Sequence, residues 1–291
     1  MSVPAPLLIA DVPWLLYRSF FALPKSIVDG DGRPVNALLG TANAILTLVD
    51  ARAPRAVVAC MGAEQADYRV RLYPPYHAHR DPMPPELASQ WQRAPKLLEG
   101  LGWTVADSDS LEADDVMFSH ARVEEDSGGR ALLLTGDRDL YGAVTDDVFA
   151  LELRKGGEAV DIDPDGVRER YGVDPELVPD FIALRGDPSD GLPGAPGIGA
   201  KTAAQLLRAY GSLEALIDAA ADAGQTDDLR PRIAAALRDS AELLRAFKQI
   251  ATLQLIAVQW PADAATDFAS GARVADEMGM RRLAERLAKL A

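Results

Sequence analysis

Cysteine is almost missing from this chain. Cys60 stands alone, so no disulfide can close within it, and a reducing interior is the expected setting. Histidine is scarce as well: His77, His79 and His120 are the only three, and they are not spaced for a zinc site. No apolar run approaches the ~20 residues of a membrane span. The opening MSVPAPLLIAD has neither the basic start nor the long apolar core of a secretion signal, so a cytoplasmic protein is expected. Positive charge is in deficit, with 30 Lys/Arg against 44 Asp/Glu and a net charge of −14. The deficit is uneven: residues 1–100 hold 10 against 9, and the remainder 20 against 35. Such acidity argues against indiscriminate attraction to nucleic-acid backbones. It leaves room for an enzyme whose acids gather in one pocket while its bases line a separate track.

What is present begins with alternation. LLIAD (7–11), AVVAC (56–60), TVAD (104–107), ALLLTGD (131–137) and VFALEL (148–153) read as strands, separated by helix-like stretches near 36–50, 86–100 and 112–123. The expected fold class is α/β, a mostly parallel central sheet flanked by helices. In such sheets ligands sit beyond the carboxyl ends of the strands, where Asp11 and Asp137 fall. From about residue 164 strand signals fade. Two short helices each follow Asp-Pro, and further helix-like segments cover 200–209, 212–222 and 229–251. The stretch LIDAAADAGQTDDL reads as a helix end and a solvated loop. We place an α/β unit at 1–168 and a helical module with C-terminal helices at 169–291.

Acids cluster at the ends of these elements: Asp11; Glu112, Asp114 and Asp115 in SLEADDV; Asp137 and Asp139 in TGDRDL; Asp187 and Asp190 in RGDPSDGLPG. Singly, each has an ordinary structural reading, as a first-turn helix acid, a capping box between Asp109 and Glu112, or a turn former. Together they conflict with one another. Like charges ~4 Å apart repel by ~4 kcal/mol at an effective dielectric of 20, so a shared crevice requires cations or protonation. Oxygen ligands without histidine or cysteine suit magnesium or manganese. Two such ions would activate a water and stabilise the leaving oxygen of a phosphodiester.

The glycine-rich GLPGAPGIGAKTA (191–203) is not a P-loop, because Ala200 separates Gly199 from Lys201 and the segment before it reads as helix. It reads as a hairpin between helices that brings backbone amides and a helix N-terminus to a phosphate. We assign that grip to Gly194, Gly197, Ile198, Gly199, Lys201 and Thr202. It is blind to base sequence.

In combination these motifs resemble the bacterial 5′-nuclease family, comprising flap endonucleases and the 5′→3′ exonuclease domain that opens many DNA polymerase I chains. The likeness rests on LLIADVPWLLYRSFFALP, YRVRLYPPYHAHRDPMPPEL, SLEADDV, LLLTGDRDLYGAV, YGVDPELVPDFIALRGDPSDGLPGAPGIGAKTA and YGSLEALI. The tail MGMRRLAERLAKL is similar to that domain's last helix, so the likeness spans nearly the whole chain and stops where a polymerase would begin. A stand-alone monomer without a fused polymerase is expected. The resemblance implies a PIN-like nuclease core with two or three magnesium or manganese ions. It also implies a helix–three-turn–helix module, about 175–210, that grips duplex DNA through a potassium-assisted hairpin. The implied substrates are DNA 5′ flaps and free 5′ ends. By motif, Asp11, Glu112, Asp114, Asp115 and Asp137 would form one metal group, and Asp139, Asp187 and Asp190 the other. Arg18, Tyr76, His77 and Arg80 would lie near the scissile phosphate.

The chain departs from the family pattern in four places. Gly62 stands where an Asp is usual, which predicts a weaker first metal position. His77 replaces a Lys; an imidazole is mostly neutral above pH ~7, so its hold on developing phosphate charge should weaken there. His79 replaces an Asn. Val12-Pro13-Trp14 replaces Gly-Ser-Ser, and Trp14 is expected in the core rather than stacked on a base. A protein that clamps branched DNA without cutting it is the alternative reading; a nuclease for RNA is disfavoured by the hairpin.

Overall fold

The computed structural model describes residues 5–154, 158–222 and 229–291. The strands are β1 (Leu7–Asp11), β2 (Ala56–Cys60), β3 (Thr104–Ala106), β4 (Ala131–Leu134), β5 (Val148–Leu153) and β6 (Ala159–Ile162). They form one sheet in the order β3-β2-β1-β4-β5-β6, parallel throughout except for the antiparallel β5–β6 pair at the edge. Central β1 is buried at every residue. A strand covered on both faces needs no polar alternation, which is why LLIAD is continuous.

Successive side chains of β1 enter different cores. Leu8 and Ala10 face α1 (Val12–Ala22), α2 (Asn36–Arg52) and α4 (Pro85–Gly100). Leu7 and Ile9 instead meet Val116, Met117 and Ala121 of α5 (Ala113–Asp126). A short α3 (Asp67–Leu72) lies between β2 and α4.

The helical half has its own core. It comprises α6 (Pro164–Tyr171), α7 (Val178–Arg185), α8 (Ala200–Tyr210), α9 (Leu213–Ala221) and α10 (Pro231–Ala251). Asp163 caps α6 by accepting from the Gly166 amide at 2.7 Å, and Pro164 follows at the first helical position. Lys248 of α10 pairs with the buried Asp180 of α7 at 2.6 Å.

Within the region expected at 169–291 as a helical module and C-terminal helices, the last helices separate from the second core. Helices α11 (Phe268–Glu277) and α12 (Arg281–Ala288) return to the first core, where Ala275, Met278, Leu283 and Leu287 pack with Leu97, Leu98 and Leu101 around α4. Arg93 donates to the Met278 carbonyl across this contact. Amphipathic spacing announces an apolar stripe but not which surface it covers. The strand expected over 131–137 ends at Leu134, and a 3-10 turn follows at Asp139–Ala143. The solvated loop expected after Ala221 falls largely on 223–228, outside the described residues. Among the described residues, no helix is long and apolar enough to cross a membrane.

Candidate active site

A cavity of about 920 Å³ opens beyond the carboxyl ends of β1 and β4. Asp11, Glu112, Asp114, Asp137, Asp139, Asp187 and Asp190 all line it. They arrive from four separate parts of the chain. Asp11 is the last residue of β1 and caps α1, accepting from the Trp14 amide at 2.9 Å. Glu112 and Asp114 stand at the entry to α5. Asp137 and Asp139 follow β4, and the Asp137 side chain accepts from the Asp139 amide. Asp187 and Asp190 lie on the hairpin after α7, closed by reciprocal backbone bonds between Asp187 and Leu192, both 2.8 Å.

The seven divide by partner. Glu112 accepts from the Ala66 amide at 2.8 Å and from Tyr76 Oη at 3.0 Å, and pairs with Arg69 at 3.1 Å. Asp187 pairs with Arg185 at 2.9 Å and also accepts from the Ser189 amide and hydroxyl. Asp190 pairs with Arg80 at 3.1 Å and meets His77 Nε2 at 3.0 Å. The other four, Asp11, Asp114, Asp137 and Asp139, have no such cationic partner among the described residues.

Their protonation follows. Burial pushes Asp11 up to about 6, although the Trp14 amide and the Thr135 hydroxyl (2.7 Å) pull the other way. Burial first and the Asp190 charge second push Asp137 up to about 7. Asp114 and Asp139 are raised well above the carboxylate range, by burial and then by Asp137. Mutual repulsion and lost hydration therefore act on the same four groups. Among the described residues no three His, Cys, Asp or Glu side chains form a ready-made cage for one ion. The acids instead face one another across the cavity, close enough to shift one another's titration. An oxygen-only donor set with four carboxylates lacking a direct cationic partner among the described residues fits hard divalent cations.

Asp115 is a correction. Its side chain is fully buried, pairing with Arg69 at 3.0 Å and accepting from the Gln254 amide at 2.8 Å, and it does not line the cavity. Consecutive helical residues point about 100° apart, so Asp114 and Asp115 cannot share one direction. Glu112 likewise forms no capping box: α5 has no side-chain cap bond.

Tyr76, His77 and Arg80 line the cavity. The His77 ring stacks on Tyr76 at 3.8 Å, and the residue holds a positive φ of 56°. Arg18 does not line the cavity; its guanidinium lies over the Trp14 ring, 5.7 Å from the centroid. Trp14 belongs only partly to the core. It lines the cavity beside Tyr17, Phe21 and Trp91 and covers Gly136, leaving no room there for a Cβ. Arg69 was not anticipated. It is 3% exposed and joins Glu112 to Asp115. An arginine in YRVRL reads like a surface residue until its partners are placed.

The hairpin residues also separate. Gly194 is buried against the Gly186 backbone and Ile198 is a core residue whose amide already bonds to Ala195, so both build the hairpin rather than face a ligand. Gly197 and Gly199 are exposed, with open space about them, and Lys201 is exposed beside them. Gly199 caps α8 without a side-chain bond. A Cβ at Gly199 would meet no neighbour and no positive φ, so Gly199→Ala is the substitution to make. It is expected to leave the thermal midpoint unchanged while weakening duplex binding evenly across DNA sequences, as fluorescence anisotropy on unrelated duplexes would measure.

Comparison with known proteins bears on this geometry. The model of the 5′-3′ exonuclease N-terminal resolvase-like domain matches residues 6–172, and that of the 5′-3′ exonuclease C-terminal SAM fold matches 173–267. DNA polymerase I of Mycobacterium tuberculosis (strain ATCC 25618 / H37Rv) is 39% identical over 80% of this chain, and the chain spans about a quarter of that relative's length (25%). The 5′-3′ exonuclease of the same organism is 34% identical, covering 98% of this chain and 97% of its own. Among solved structures, the T5 D15 protein co-crystallized with metal ions superposes with a TM-score of 0.69 at 18% identity, covering 98% of this chain and 97% of its own. The catalytic core of Rad2 in complex with DNA substrate gives 0.66 at 13%, covering 99% and 93%. These two share the fold. Two consecutive models of one family thus account for residues 6–267, and the chain belongs to the 5′-3′ exonuclease family.

Proposed function

We propose that this chain is a divalent-metal-dependent, structure-specific 5′ nuclease that hydrolyses DNA phosphodiesters at 5′ flaps and free 5′ ends, working as a monomer. The observation that carries the reading is the set of four cavity carboxylates, Asp11, Asp114, Asp137 and Asp139, left without cationic partners. They would hold magnesium or manganese, with Glu112, Asp187 and Asp190 completing the set. When bound, such ions supply an activated water and charge stabilisation at the leaving oxygen.

The chain's own residues do the rest. Arg80, half-exposed and tied to Asp190, offers a guanidinium to a phosphate entering the cavity. Tyr76 and Arg69 fix the Glu112 carboxylate. His77 is braced by the Tyr76 ring against its face and by Asp190 at Nε2. The free amides of Gly197 and Gly199, with Lys201 and Thr202 at the start of α8, would grip the duplex phosphates, with potassium as the bridging ion. Residues 1–168, with α11 and α12 packed on them, supply the nuclease core and the helices from 169 to 251 the grip, its helix–three-turn–helix near 175–210. The relative named 5′-3′ exonuclease, and the neighbour described as a T5 D15 flap endonuclease with DNA and metal ions, support this reading.

An end-labelled 5′-flap duplex incubated with the protein and magnesium, manganese or chelator tests it. Cleavage at the flap junction with either ion and none in chelator is expected. A bound but uncut flap in all three would instead favour the clamp, a reading for which Gly62 speaks.

A further inference from the structure

Gly62 follows the end of β2 by two residues. Its φ is not in the left-handed region, so conformational freedom does not explain a glycine there. Space does. A Cβ at this position would lie 2.6 Å from Ala113 N, 2.7 Å from the Glu112 carbonyl carbon and 2.8 Å from Leu111 O. All three are backbone atoms, so no flexible side chain can swing aside. Next to it, the Ala63 amide donates to Leu111 O at 2.9 Å and seals the contact.

The turn pressed against Gly62 carries Glu112, whose carboxylate is tied to three other residues. Its two oxygens serve the Ala66 amide, Tyr76 Oη and Arg69, all between 2.8 and 3.2 Å. Ala66, Arg69 and Tyr76 all lie downstream of Gly62 on the stretch that leaves β2. The approach at Gly62 therefore sets the gap between that stretch and the start of α5.

We propose that Gly62 is a positioning residue for Glu112: by having no side chain, it lets the 111–113 turn close on the segment after β2, and this holds the Glu112 carboxylate under Ala66, Arg69 and Tyr76. The inference rests on the metal-dependent reading above. With any side chain at 62 the turn must retreat by roughly 0.8 Å, from 2.6 to the 3.4 Å of ordinary contact. Hydrogen bonds near 3 Å do not survive such a displacement without realignment. An aspartate at 62 would thus displace Glu112 as it adds its own carboxylate.

Manganese binding by titration calorimetry, together with thermal midpoints in chelator, tests this on the wild type, G62A, G62D, E112Q and G62A/E112Q. G62A is expected to weaken manganese binding at least tenfold and to lower the chelator midpoint. G62D is expected to bind no more tightly than the wild type. In the E112Q background, G62A should change affinity less than twofold, because the group it displaces is already altered; a general loosening of the fold would give the same loss in both backgrounds. If G62A fails to fold, E112Q decides: manganese affinity within twofold of the wild type would overturn the proposal, and a tenfold loss would uphold it. G62A with wild-type affinity and midpoint, or G62D binding manganese more tightly than the wild type, would overturn the proposal. A wild type that takes up no manganese would sink the metal reading itself.

Discussion

Asp137→Ala and Asp139→Ala are each expected to lower flap cleavage by at least ~100-fold, the scale on which electrostatic stabilisers of a transition state operate, while flap binding stays within a few fold. In the proposed reading, binding draws on the hairpin around Gly197 and Gly199 rather than on these carboxylates. Stability should move the other way. Asp137 is the leading charged neighbour raising both Asp114 and Asp139, so its removal relieves repulsion that the fold otherwise carries. In chelator at pH 8 the Asp137→Ala midpoint should equal or exceed that of the wild type. Active sites commonly trade stability for function in this way. A variant that lost cleavage together with its fold would leave the carboxylate role unsupported; one that kept cleaving would remove Asp137 from the site.

Gly194→Ala should produce the largest loss of stability of any single methyl added to this chain. Gly194 has φ +68°, and its Cβ would run into Gly186 N as well as Arg185 C at 2.6 Å and Leu184 O at 2.7 Å. Gly186 is the reciprocal case, with φ +82° and a Cβ position 2.6 Å from Leu192 O. Two glycines thus touch back to back where the hairpin leaves and rejoins α7. Left-handed backbone costs an L-residue ~1–2 kcal/mol, and overpacking against unyielding neighbours another ~1–3 kcal/mol, so roughly 2–5 kcal/mol is expected from denaturant unfolding. The same closure carries Asp187 and Asp190 into the cavity. Whatever Gly194→Ala protein remains folded should therefore cleave poorly. A midpoint within 1 °C of the wild type would show that the hairpin is not pinned here.

The strand ends were readable because a fully buried strand is an unbroken apolar run, and an Asp at its end has only the sheet's carboxyl edge to occupy. Asp11 and Asp137 follow from that alone. Asp187 and Asp190 follow only from recognising the hairpin. Sequence adjacency misled for Asp114 and Asp115, since helical geometry sends them apart and Arg69, invisible as a partner, takes the second. Gly194 and Ile198 looked like part of the phosphate grip because they sit in the same glycine-rich run, but packing turned both inward. The last two helices showed their amphipathic stripe plainly. Their partner surface on α4, ~170 residues earlier, is set by tertiary packing that no local spacing encodes. Edge strand β6 (Ala159–Ile162) holds Asp161 within four residues, and its place is set by antiparallel pairing with β5.

The central claim is that unpaired carboxylates are tolerable here only with divalent ions, and unfolding measured against pH tests it. For a carboxyl raised from 3.8 to about 6 (Asp11) or about 7 (Asp137), the folded state binds protons more tightly than the unfolded one. Its stabilising contribution is complete below pH ~3.8 and is lost as pH rises through 6 and 7. His120, whose pKa burial lowers, works in the opposite sense, but equally with and without metal. The informative quantity is therefore the midpoint in manganese minus the midpoint in chelator. It should be about 5 °C or more at pH 8 and shrink towards zero at pH 5, where protons already neutralise the cluster. Equal midpoints in manganese and chelator at pH 8 would contradict the account.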